Sequence, residues 1–335
     1  MVAAERAARS ADARWSRLGA AGLGLVGATL APEMLGVGAR ASAWCQMVSG
    51  NIRPTPSEPC VLAPNHEGIF ALAWNRRCTS ISVSEALPPR DLSVTEVQDV
   101  LRGGISAWTT ADCGGAGVTG LSVDVLSETN ACSAASHYTN GRNVHSVIFV
   151  RDGWADERGH DTRAYAVTFV WHDPSTGIIR DADMEINEAR GEYAVCPELG
   201  CTDGRIDLPN VLTHELGHYF GLAHTPDDVN ATMHASAPPG ETMKRTLAAD
   251  DVTGICTMYP PGALPEACDP APNGGLDLAC APPSSCGCAA PGAERGGRGP
   301  LALLLALALG LGLGRRRGLA RAGEDGTRLG SGGPR

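Results

Sequence analysis

The sequence predicts a mixed α/β (α+β) domain of about 190 residues. Three observations carry that expectation: alternating or β-branched runs that read as strands, a capped amphipathic helix following the first of them, and two further helical segments near the domain's end. Thr79-Ser80-Ile81-Ser82-Val83-Ser84 alternates polar and apolar residues, as a half-buried strand does. Ser93 followed by Glu96 is a capping-box start. Val94, Val97, Val100, Leu101, Ile105 and Trp108 then recur at helical spacing. Leu121 to Leu126, Val144 to Val150 and Tyr165 to Trp171 read as strands. Asp173-Pro174-Ser175-Thr176-Gly177 is a turn, and Ile178 to Ile186 returns as the next strand. A loop with Cys196 and Cys201 leads to a helix starting near Asp207, and a last helix runs from about Leu247 to Thr257.

The chain has 335 residues and a formal net charge of −10, which argues against nucleic acid as the main partner. No Gly-rich loop stands at a strand-to-helix junction, so nucleotide binding has no support. None of the twelve cysteines sits in a CxxC pair, so zinc-ribbon and thioredoxin-like readings fail. Scattered cysteines in an exported chain form disulfides. Short separations suggest Cys60–Cys78, Cys113–Cys132 and Cys196–Cys201, although connectivity does not follow from sequence.

Residues 1–43 read as a signal peptide: arginines up to Arg17, an apolar run from Leu18 to Ala31, then Ala41-Ser42-Ala43 as a small-x-small cleavage pattern. Residues 44–70 are Pro-rich with little periodicity and read as an N-terminal extension or short pro-segment. The predicted domain spans 71–262, followed by a Pro/Gly-rich linker over 263–298, an apolar segment over 299–318 and a polar tail over 319–335. Leu301 to Gly314 is almost purely Leu, Ala and Gly and is capped by Arg315-Arg316-Arg317. Its helical length of roughly 21 Å falls short of a ~30 Å hydrocarbon core. That favours a sorting tail, with an ordinary membrane anchor as the alternative, and either makes membrane contact and an envelope location the expectation. With Cys286-Gly287-Cys288 just upstream, the arrangement resembles the C-terminal sorting tail of myxobacterial surface proteins.

The chemistry lies in Thr213-His214-Glu215-Leu216-Gly217-His218-Tyr219-Phe220-Gly221-Leu222-Ala223-His224. Asp207 is a good N-cap and Pro209 is tolerated in a first turn. A helix from there puts His214 and His218 one turn apart on one face, so both imidazoles can reach one ion. Glu215 is displaced by one residue, placed to take a proton from a water on the metal's open side. Gly221 suits a left-handed helix end, after which the chain can turn back and deliver His224. Three protein ligands leave a fourth position open, which marks a catalytic zinc site.

The HExxHxxGxxH pattern with a following methionine, here Met233 in Ala231-Thr232-Met233, resembles the metzincin zinc peptidases. Leu247-Ala248-Ala249-Asp250-Asp251-Val252-Thr253-Gly254-Ile255-Cys256-Thr257-Met258-Tyr259 resembles the helix that follows the Met-turn in the matrixin branch, as Asp181-Ala182-Asp183-Met184-Glu185 resembles the strand before its active-site helix. The resemblance covers roughly residues 71–260. It implies a twisted, mostly parallel sheet with an antiparallel edge strand, an active-site helix and a C-terminal helix. It also implies a zinc metalloendopeptidase acting on protein or peptide substrates, with His214, His218 and His224 on zinc and Glu215 as the base.

The departures are specific. Asp183 and the stretch from Tyr165 to Phe169 offer no histidine for the second, structural zinc of animal matrixins, so none is expected. Asp181, Asp183 and Glu185 are instead candidate calcium ligands or a solvated acidic edge. The pro-segment cysteine motif is absent; Cys60 is either a zinc-blocking switch or, more simply, half of a disulfide. His66, His137, His145, His160 and His172 are expected at the surface. Two other readings remain open: a non-catalytic surface or adhesion module with a structural zinc, and a metal-dependent amidase acting on cell-wall peptides.

Overall fold

The computed structural model describes residues 44–49, 68–226 and 228–282. The expected signal peptide, Cys60, His66 and the apolar tail from Leu301 to Gly314 lie outside the described residues. The elements, in chain order, are β1 (Cys45–Gln46), β2 (Cys78–Val83), α1 (Val94–Thr109), β3 (Ser122–Val125), β4 (Ser146–Val150), β5 (Ala166–His172), β6 (Ile179–Asn187), β7 (Tyr193–Ala194), β8 (Ile206–Asp207), α2 (Leu208–Tyr219), β9 (Leu222–Ala223) and α3 (Ala249–Met258). Five strands form the main sheet in the order β3-β2-β4-β6-β5. β2 runs parallel to β3 and β4, and β4 parallel to β6. β5 alone is antiparallel, along the β6 edge. This is the mixed α/β architecture expected, with a mostly parallel sheet and an antiparallel edge strand.

Local chemistry sets the helix starts. The Ser93 side chain accepts from the Glu96 amide, and Glu96 accepts from the Ser93 amide, which completes the capping box of α1. Asp207 caps α2 through Asn210 N at 3.0 Å, with a proline in the first turn. The same carboxylate accepts the Cys196 amide and two bonds from the Arg245 guanidinium, so the cap also ties down the preceding loop.

The sheet is covered on both faces, so β4 is buried at every position and reads as a continuous apolar run. Val147 and Phe149 join the main core with α1 and α2. Ile148 and Val150 join Cys132, Val144 and Trp154 in a second cluster on the other face. Leu276, Leu278 and Cys280 complete that second cluster, and this corrects the linker expectation. Residues 263–282 lie against the domain. Disulfides Cys78–Cys268 and Cys132–Cys280 hold them, and so do main-chain bonds such as Ala131 N to Leu278 O at 2.8 Å. The pairings Cys60–Cys78 and Cys113–Cys132 are thereby replaced, since Cys113 bonds to Cys256 on α3; only Cys196–Cys201 is as expected. The bonds span large sequence separations because the fold, not the chain, brings the partners together.

Residues 44–49 are likewise part of the domain. β1 pairs antiparallel with β9, the Met47 amide donates to Gly221 O at 2.8 Å, and Trp44 is buried. β1 thus fixes the segment that leads into His224.

Candidate metal centre

α2 carries His214 and His218 one turn apart. Its C-terminus is held by buried aromatic donors: Trp74 Nε1 donates to Tyr219 O at 2.8 Å and the Tyr259 hydroxyl donates to Phe220 O at 2.6 Å. Gly221 then takes φ +98°, and a Cβ there would sit 2.4 Å from Leu72 O. Only glycine fits both the left-handed backbone and the close approach. The chain turns into β9 and brings His224 back over the helix.

The three imidazoles converge. Nε2 of His224 lies 3.1 Å from Nε2 of His214 and 3.1 Å from Nε2 of His218. His214 Nδ1 donates to Thr232 O at 2.6 Å and His218 Nδ1 donates to Leu222 O at 2.8 Å. Those carbonyls place the ring protons on Nδ1 and leave the Nε2 lone pairs facing one another. Nitrogens at about 2.05 Å from a tetrahedral ion stand ~3.3 Å apart, close to the spacing here. Burial, reinforced by the charges of His218 and His224, pushes the His214 imidazole well below its usual proton affinity, which favours the neutral ligating form. The donor set therefore fits zinc. Among the described residues it is the one cluster of three or more His, Cys, Asp or Glu side chains able to hold an ion.

Met233 lies beneath this centre. The Thr225 amide donates to Met233 O at 2.9 Å, which joins the methionine turn to the residue after His224. Asp251 on α3, fully buried, accepts the amides of Thr232 (2.7 Å), Met233 (3.0 Å) and Ala248 (2.8 Å). One carboxylate thus fastens the turn to the C-terminal helix. Trp108 of α1 donates to Thr213 O at 2.8 Å and supports α2 from the other side. Met233 is marked by the sequence pattern, whereas the bonds that Asp251 and Trp108 make to Thr232, Met233 and Thr213 are not, because they join residues 18 or more positions apart in the chain.

Glu215 is buried beside the histidines, and Thr168 on the edge strand donates to its Oε2 at 2.5 Å. No motif marks Thr168; its part in the site becomes visible only once β5 is laid over α2.

Asp181, Asp183 and Glu185, the candidate calcium ligands, are not a solvated acidic edge. All three are buried on one face of β6, and their oxygens are engaged by protein donors. Asp183 accepts the amides of Ser136 at 2.9 Å and Ser146 at 2.8 Å. Glu185 accepts the Ala135 amide, Arg158 at 2.5 Å and His160 at 3.0 Å. Asp181 pairs with His137 Nδ1 at 2.9 Å. A buried acidic row already met by amides, a guanidinium and imidazoles does not fit the oxygen cage that calcium takes. Nor are His137, His145 and His160 surface residues: each is largely buried against this row. Burial holds the His145 imidazole down to about 3, so the ring is neutral. Neither of its nitrogens has a hydrogen-bond partner.

Comparison with known proteins agrees with this geometry. Residues 134–260 match the matrixin family of peptidases. A metalloendoproteinase of Arabidopsis thaliana, 1-MMP, is 36% identical over 189 residues, 56% of this chain and 44% of that protein. Metalloendoproteinase 1 of Glycine max is 47% identical over 53 residues, 16% of this chain and 17% of that one. Human matrilysin is 30% identical over 121 residues, 35% of this chain and 37% of that one. The chain spans less than half the length of each relative. With its HExxHxxGxxH helix and methionine turn, the stretch 134–260 is similar to the matrixin branch of the metzincins.

Proposed function

We propose that this protein is a zinc-dependent endopeptidase that hydrolyses peptide bonds in proteins or peptides. The convergence of the His214, His218 and His224 Nε2 atoms, with Glu215 on the same helix, carries the reading. Zinc held by these three nitrogens would supply Lewis acidity toward the scissile carbonyl and the attacking water. Glu215 takes one proton from that water as its oxygen bonds to the carbonyl carbon, then delivers it to the departing amine nitrogen as the C–N bond breaks. Among the described residues β5 is the outer strand of the sheet next to α2, so an extended substrate can add to it through main-chain hydrogen bonds. The carbonyls of Thr232 and Leu222 keep the two helix imidazoles in register through their Nδ1 protons.

Export to an oxidising compartment is part of the proposal. Four disulfides among the described residues support it, since such bonds persist outside the reducing cytosol. Attachment at the cell envelope through the C-terminal segment rests on its sequence pattern alone. Among the described residues no helix is long and apolar enough to cross a membrane.

Glu215→Ala tests the mechanism. The variant should bind zinc like the wild type and lose peptide cleavage by about a hundredfold or more. Full cleavage by a zinc-loaded Glu215→Ala protein would refute the assignment.

A further inference from the structure

We propose that Thr168 is a positioning residue for Glu215, an inference that rests on the peptidase reading above. Strand alternation sets the geometry. Along β5, Ala166 and Val170 pack into the core shared with α2, while Val167 joins the cluster on the opposite face. On that opposite face, Phe169 lies beside His160 with ring centroids 5.6 Å apart, and Trp171 stacks on His137. Thr168 therefore falls on the helix side by parity. It is the one polar residue between two apolar neighbours on that face.

Its hydroxyl meets Glu215 Oε2 at 2.5 Å and lies 3.3 Å from Glu215 O. The shorter approach is a charge-assisted bond to a carboxylate that is 5% exposed. β5 is anchored against β6 in unbroken register from Ala166 to Trp171, with Thr168 opposite Met184 and the shift falling only after Trp171, so the donor sits on a rigid element. A glutamate side chain has three rotatable bonds. A fixed donor at one oxygen selects the rotamers that keep the carboxylate on the reaction side of the helix. The same strand that receives the substrate thus also orients the base.

The assignment separates positioning from fold maintenance. Thr168→Val keeps the β-branched shape and removes the donor. In the full, zinc-loaded chain, kcat should fall about tenfold or more while KM stays within about twofold. Zinc content should match the wild type. Thr168→Ser, which retains the hydroxyl, should recover most of the lost kcat. Crystal structures of both zinc-loaded proteins read the claim without activity: Glu215 should hold one rotamer against Thr168 in the wild type and split or swing away in Thr168→Val. An unchanged kcat, or a Glu215 that keeps its pose in Thr168→Val, would overturn the proposal. So would a loss of kcat that Thr168→Ser does not recover. If the wild type cleaves no peptide, the peptidase reading fails, and the Glu215 rotamer alone then decides the positioning claim.

Discussion

The Met233 side chain lies directly over Gly217: a Cβ on that glycine would stand 2.1 Å from Met233 Sδ and 2.9 Å from Trp108 Cζ2. The methionine turn packs onto α2 between the two helix histidines only because position 217 has no side chain. Gly217→Ala should therefore destabilise the domain. Overpacking costs about 1–3 kcal/mol, against a helix-propensity gain of ~1 kcal/mol. A lowered melting temperature together with weaker zinc retention is the expected result. An unchanged or raised melting temperature would show that the turn is not seated on the helix in this way.

Asp251 is the second support. Asp251→Ala leaves the buried amides of Thr232 and Met233 and the part-buried amide of Ala248 without their acceptor. Bonds to a charged acceptor contribute about 1.5–3 kcal/mol each, and the loss should exceed ~3 kcal/mol. Denaturant unfolding followed by tryptophan fluorescence measures it. A cost under ~1 kcal/mol would mean that the turn does not depend on α3.

His145 should make stability sensitive to acid. Its folded-state value of about 3 lies below the ~6.5 of the unfolded chain. The stability tied to the neutral ring is therefore fully present above pH ~6.5. As pH falls from there toward 3, the unfolded state binds a proton that the native state excludes, and stability drops by ~1.4 kcal/mol per pH unit. Burial also pushes the neighbouring Asp181 carboxyl well above its usual range, so both members of this buried neighbourhood favour the uncharged form. Equilibrium unfolding of wild type and His145→Phe across pH 7 to 4 should show a shallower acid loss in the variant. Parallel curves would assign the acid sensitivity elsewhere.

The buried row on β6 should make the domain indifferent to calcium. Asp183 and Glu185 already accept amides, Arg158 and His160. With zinc held constant, millimolar calcium should leave the melting temperature unchanged. A cation bound only to the native state would raise stability, by ~2.7 kcal/mol at a hundredfold excess over Kd. A calcium-dependent rise in melting temperature that Asp183→Asn abolishes would show that these carboxylates can rearrange into a site.

The metal centre was legible in the sequence because its determinants are local. His214, Glu215 and His218 share one helix, and Gly221 supplies the reversal that brings in His224. The capping residues Ser93 and Asp207 were equally local, and the five strands of the main sheet followed from alternation and β-branching, although β2 is buried at every position where alternation implied a half-buried strand. What stayed hidden was set by tertiary contact. The disulfide partners of Cys78, Cys113 and Cys132 lie more than a hundred residues away, which proximity cannot suggest. The stretch 263–282 reads as a linker because it lacks periodicity, yet two of those disulfides and the apolar side chains of Leu276 and Leu278 hold it on the domain. Polar residues such as His137, His145, His160 and Asp183 read as surface, whereas they satisfy or crowd one another beneath a covered sheet face. Thr168 is an ordinary strand residue until Glu215 is placed beside it.

The most direct test of the account is cleavage of a mixed peptide library by the full chain as purified, after zinc chelation, and after zinc is restored, with bound zinc quantified at each stage beside His224→Ala. One zinc per chain is expected, with cleavage lost with the metal and regained with it, and both zinc and cleavage lost in His224→Ala. Cleavage that persists without zinc, or full zinc occupancy in His224→Ala, would contradict it.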